Sequence, residues 1–304
     1  MKEEDAKILL EKLEKGIQNL SDSEEWKKFL EFSSKLHHYS FNNQMLLNLQ
    51  TNGKASDVGS YRFWAAQGAF VKKGEKALYI YAPRIYKVKE KTSLGEEKEI
   101  SKIMGFNLVP VFDRSQLANP EVLPSVVKRL EGTGDKEILM TLKKIAEAKS
   151  GWTVEYSAIP GETNGYCSPS EKKIVVDNVK NSPEAMLKTL CHEIAHQQMH
   201  ADIPDAHDRS DKELMAESVA FIVGHYLAEH LGRGFDSSTY TFGYVTLWKG
   251  NKDNALEDLR KVAGEIIKTA GDIIQGVEDI LMDKNLSGKE KALSKEYYTE
   301  DLML

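Results

Sequence analysis

The chain has 304 residues, which suits two domains of ordinary size, and 41% of them are hydrophobic, enough for real cores. A formal charge of −6 excludes a global nucleic-acid signature, so any such surface has to be local. Two cysteines, Cys167 and Cys191, give no disulfide framework and fit a reducing cytoplasm, and no apolar run is long enough to span a membrane.

The acidic start, Met1 to Asp5, leads into an amphipathic helix and does not read as a signal peptide. Ile8, Leu9, Leu13, Ile17 and Leu20 form its apolar face. Ser21-Asp22-Ser23 caps a second helix carrying Trp26, Phe29, Leu30, Phe32 and Leu36, and Ser40 opens a third through Met45 to Leu49. Residues 61–67 read as a short helix, and 68–76 as a strand with a turn at Gly74. Ala77 to Tyr81 and Ile85 to Lys89 alternate as two strands, Glu90 to Ser101 as a charged hairpin tip, and Ile103 to Phe112 as a returning strand.

Residues 60–91 carry eight basic and two acidic side chains, +6 within a chain of −6, interleaved with seven aromatics. Basic groups track phosphates and aromatic faces stack on unpaired bases, so the segment suits single-stranded nucleic acid. The competing reading is that the aromatics are core and the lysines merely solvated. Arg62, Trp64, Lys72, Lys73, Lys76 and Tyr79 are the candidate contacts.

A Pro/Gly-containing stretch at 119–134 reads as a linker between residues 1–118 and 135–304, and the whole as α+β. After it come a helix from Asp135 to Lys149, a strand from Thr153 to Ser157, and a hairpin from Tyr166 through Asp177. The last stretches are a long helix from Leu256 to Leu281 and a loose charged tail, 284–304.

Between these lies His192-Glu193-Ile194-Ala195-His196. Residues four apart share one helix face, so two imidazoles can hold one metal ion with Glu193 beside its open position, the geometry a zinc hydrolase needs. Ser182 before Pro183 marks the helix start. Zinc needs a third protein ligand, and residues 212–224 read as a second helix with Glu213 and Glu217 set among apolar residues. Glu217, flanked by Ala216, Ser218 and Ala220, is the expected ligand, with Glu213 orienting a ligand histidine. His200 lies roughly 12 Å along the axis from His192 and is expected at the surface, as is His207; Cys191 is expected in the core.

Tyr39-Ser40-Phe41-Asn42-Asn43-Gln44, Trp64, Val71 to Lys76 and Val111-Phe112-Asp113-Arg114-Ser115-Gln116 together resemble the N-terminal domain of ArdC-type antirestriction proteins. The second half resembles the zincin-like metallopeptidase domain that accompanies it, and is similar to the ImmA/IrrE class and, through Glu217 to Gly224, to the gluzincin glutamate helix. The resemblance implies a single-stranded DNA-binding domain fused to a zinc peptidase-like domain, carried on mobile elements and protecting incoming DNA from restriction.

The expected chemistry is peptide hydrolysis. Zinc on His192, His196 and Glu217 lowers the pKa of a bound water, Glu193 takes its proton, and Tyr166, His225 or Tyr226 is the candidate oxyanion donor. Two alternatives stay open: an ImmA-like protease cleaving a repressor, and a non-catalytic protein that shields single-stranded DNA with zinc in a structural role.

Overall fold

The computed structural model describes residues 3–91, 97–123, 130, 133–203, 207–240, 242 and 255–282. The chain opens with three helices, α1 (Glu3–Asn19), α2 (Ser23–Lys35) and α3 (Phe41–Thr51). Asp22 starts α2 by accepting the backbone N–H groups of Glu24 and Glu25, and Asn52 ends α3 in the left-handed conformation at φ 51°. The short strand β1 (Val58–Gly59) and the helix α4 (Tyr61–Ala66) follow, then two long strands, β2 (Leu78–Lys91) and β3 (Glu97–Asp113). All pairings are antiparallel, in the order β1-β3-β2.

Two expected elements differ. The strands read at 77–81 and 85–89 are one continuous strand, irregular only between Pro83 and Ile85, and pairing with β3 continues from Leu78–Val111 to Lys91–Glu97. The charged segment at 90–101 is therefore ladder on both sides, and its remainder, 92–96, lies outside the described residues. Residues 68–76 form no strand beyond one bridge, Val71 to Leu117, because Gly68 and Gly74 turn the chain at φ 75° and 92°.

The second half contains α5 (Asp135–Glu147), β4 (Thr153–Tyr156), β5 (Gly165–Ser168), β6 (Lys173–Val176), α6 (Pro183–Met199), α7 (Arg209–His230) and α8 (Ala255–Met282). Its sheet runs β4-β6-β5, with β4 parallel and β5 antiparallel to β6, so β5 is an edge strand. The fold is α+β, as expected.

One hydrophobic core runs from Leu13 on α1 to Leu281 on α8. The N-terminal helices join it directly: the Trp26 indole on α2 donates to Ser218 Oγ on α7 at 3.1 Å. The stretch expected as a linker thus does not separate two cores, although 124–129 and 131–132 within it lie outside the described residues. A smaller cluster of Trp64, Ala69, Leu117 and Leu123 sits under the lysine turn. The 284–304 tail also lies outside the described residues.

Candidate metal centre

Helix α6 begins at Ser182, whose hydroxyl accepts the Ala185 N–H, with Pro183 in the first turn. Leu190, Cys191, Ile194 and Ala195 are buried, which turns His192 and His196 together toward α7. Their Nε2 atoms lie 3.1 Å apart. His192 faces Glu217 while His196 faces Glu213, so α6 and α7 run antiparallel along the site.

The two glutamates meet the histidines from different sides. Glu213 Oε2 lies 3.3 Å from His192 Nε2 and Oε1 lies 3.6 Å from His196 Nε2, so this carboxylate completes a group of three potential ligands. Glu217 instead meets the other side of the His192 ring, Oε2 to Nδ1 at 3.2 Å, and its Oε1 is 2.9 Å from Lys188 Nζ. Lys188 sits one turn before His192 and supplies the countercharge that makes a buried glutamate tolerable without a metal.

Glu193 is 7% exposed, and burial pushes its carboxyl above the usual range while the two histidines oppose this. The Cys167 backbone N–H on β5 hydrogen-bonds it. Such close packing of α6 on β5 requires Gly165, where an added Cβ would lie 2.5 Å from Thr189 Cγ2 and 3.0 Å from the Val175 carbonyl. Burial acts to lower the His192 pKa, but Glu213, Glu217 and Glu193 outweigh it and push it up to about 9. The histidines hold Glu213 far below the ordinary carboxylate range. Three carboxylates around two imidazoles form a site that favours positive charge, and the donor set of imidazole and carboxylate fits a divalent transition metal.

His200 is not a surface residue: it is 6% exposed, and its Nδ1 lies 3.1 Å from His196 Nδ1, where it fixes the ring that presents Nε2 to the site. Burial and the neighbouring His196 hold its pKa down at about 4, so it is neutral. Nor is His207 solvated; it sits 3.4 Å from Glu265 and packs against His200. Cys191 is buried in the core, as expected. Of the three candidate oxyanion donors, His225 turns to Ser34 at 3.0 Å and Tyr226 donates to Glu278 at 2.6 Å. Tyr166 on β5 is exposed.

The candidate nucleic-acid residues separate just as clearly. Trp64 is fully buried, its indole N–H donating to the Phe112 carbonyl at 3.0 Å, so it cannot stack on a base. Tyr79 is half-buried in β2. Arg62, Lys72, Lys73 and Lys76 are exposed, and Lys72 is tied by its ammonium to the Ser115 carbonyl at 2.9 Å. The lysine turn is held in shape by Gln116, whose amide donates to the Lys76 carbonyl while its own backbone carbonyl accepts the Lys72 N–H. Of the aromatics interleaved with these cations in sequence, Tyr61, Phe70 and Tyr86 are exposed, though none of them is among the candidate contacts.

Fold and site define an α+β protein with a candidate divalent-metal centre on paired helices. Residues 1–112 match the family model described as the N-terminal domain of anti-restriction factor ArdC. Two similar solved structures are those of antirestriction protein ArdC from plasmid R388. The metal-free form is 22% identical, with 79% of this chain and 86% of that chain covered and a TM-score of 0.46. The Mn(II)-bound form is 21% identical, with 79% and 85% covered and a TM-score of 0.46. No curated protein matches the chain. Among the described residues no helix is long and apolar enough to cross a membrane.

Proposed function

We propose that this is an antirestriction-type protein that binds single-stranded DNA and hydrolyses a peptide bond at a zinc centre formed by His192, His196 and Glu213. The observation that carries the hydrolase reading is the meeting of those three side chains with Glu193 beneath the edge strand β5. A bound divalent ion would supply a Lewis acid for the scissile carbonyl and acidify the attacking water. Glu217 and His200 orient the two histidines through their Nδ1 atoms. Glu193, steered by the Cys167 N–H, accepts the water's proton and returns it to the leaving amine; its upward-shifted pKa suits both transfers. The outer edge of β5 offers main-chain pairing to an extended peptide, which favours a peptide over a compact substrate.

The DNA reading rests on the match of residues 1–112 and on the exposed Arg62, Lys73 and Lys76 beside Phe70 and Tyr61. Zinc content, hydrolysis of fluorescent casein and binding of a labelled oligothymidine at two salt concentrations test both halves. Glu193→Gln is expected to keep zinc and DNA binding while losing hydrolysis. Wild-type cleavage by that variant would remove the peptidase reading, and DNA binding without salt dependence would remove the phosphate-tracking one.

A further inference from the structure

We propose a second metal site, formed by His37, His38 and Glu278, that clips the turn between α2 and α3 to α8. One ligand atom from each of the three residues lies within 4.8 Å of the others. His37 and Glu278 are 8% and 2% exposed, and His38 is half-buried. The site shares no residue with the His192 centre and stands independently of the proposed hydrolase.

The turn is seated on α8 at two levels. Gly271 lets the His37 backbone approach so closely that an added Cβ would lie 2.7 Å from the His37 carbonyl oxygen. Two helical turns further on, Glu278 reaches back, with Oε2 4.0 Å from His37 Nε2. Tyr226 on α7 donates to Glu278 Oε1 at 2.6 Å and its ring meets His37 edge-on, which fixes the carboxylate toward the histidines.

A simple buried ion pair would need only His37 and Glu278. The structure adds a second imidazole, the His38 ring, with its centroid 3.6 Å from that of His37. Three donor groups of the kind that holds a divalent ion therefore converge at one point between the turn and α8. A cation shared by two imidazoles and one carboxylate accounts for that convergence and offsets the cost of burying a carboxylate. The donor set selects a first-row divalent ion such as zinc.

The test uses the full chain carrying His196→Ala, which disables the first centre and leaves this cluster intact. After loading with zinc and dialysis, that protein is expected to retain zinc near equimolarity, to take up cobalt(II) with a visible absorption band, and to lose thermal stability on chelation. Adding Glu278→Gln is expected to remove the zinc and the chelator effect. If Glu278→Gln does not fold, as judged by circular dichroism, His38→Gln takes its place. Absence of zinc from the His196→Ala protein overturns the proposal. So does retention of zinc once Glu278 or His38 is also replaced.

Discussion

Lys188 Nζ lies 2.9 Å from Glu217 Oε1, on the carboxylate whose other oxygen faces His192 Nδ1. Lysine, glutamate and histidine thus form a line that ends at the imidazole and leaves Nε2 free for the site. Lys188→Met removes the charge that anchors Glu217 and is expected to weaken zinc binding about 10–100-fold, as does Glu217→Gln. Glu213→Ala removes a ligand and is expected to cost more than either. Chelator competition ranks the three; a larger loss for Glu217→Gln than for Glu213→Ala would restore Glu217 as the ligand.

Asp177, which is not one of the groups around the metal centre, gives the fold an acid limit. Its carboxylate accepts the backbone N–H groups of Ile159, Val179 and Lys180 at 2.7–2.8 Å, with Lys180 Nζ at 3.3 Å. These bonds, that from Lys180 first, hold its pKa well below the ordinary value of 3.8. A depressed folded pKa contributes stability that is fully present above the unfolded value and is lost as pH falls through it toward the folded one. Urea unfolding of wild type is therefore expected to weaken as pH drops below about 4, and Asp177→Asn to flatten that limb while lowering stability at neutral pH. An unchanged acid limb in Asp177→Asn would assign the effect to other groups.

Trp26 and Ser218, 192 positions apart in sequence, are bonded in the interior. Ser218→Ala leaves the indole N–H without its acceptor and is expected to cost about 1–3 kcal/mol. Trp26→Ala adds a cavity and is expected to cost about 3–5 kcal/mol. With one core, fluorescence and circular dichroism should report a single shifted transition for the chain. Two transitions, of which only one moves, would show that the halves unfold separately.

Charge reversal at Lys73 and Lys76 is expected to weaken oligothymidine binding and to reduce the slope of log affinity against log salt by roughly 0.7 per lost phosphate contact. Trp64→Phe acts differently, because that ring is core: it is expected to lower the melting temperature while leaving the salt slope intact. A changed slope in Trp64→Phe would return the indole to the DNA surface.

Cys167 and Cys191 are both pushed up to about 12, chiefly by burial, with Glu193 adding to the shift of Cys167. At neutral pH both are thiols, so native protein is expected to resist iodoacetamide and react fully only once unfolded. Rapid native labelling of either would show that its burial is not persistent.

Periodicity located the helices well, because α1, α2, α5 and α8 each bury one face and expose the other. The two histidines and Glu193 were legible for the same reason: a four-residue spacing on a helix is geometry already. The difference between Glu213 and Glu217 was not, since the two lie one turn apart on α7 and only the fold sets them against opposite sides of the His192 ring. Basic-plus-aromatic composition could not separate Trp64, whose ring fills the small cluster, from Phe70, which does not. Distance along α6 alone sets His200 apart from the metal centre, whereas its contact runs through the Nδ1 side of His196. Nor does any local signal announce that α2 will find α7.

Asn43 and Gln50, two turns apart on α3, each hold both polar backbone groups of one β2 residue: Asn43 those of Tyr81, Gln50 those of Tyr79. These are the groups through which β2, at the margin of its sheet, would otherwise recruit another chain. Two carboxamides therefore act as a counterfeit strand, one residue long at each station, and close the Tyr79–Tyr81 stretch of that border to fibril-like growth, while Pro83 and Arg84 follow directly in the strand. Replacing them with alanines would reopen it, and light scattering during refolding would register the sheet's restored appetite for company.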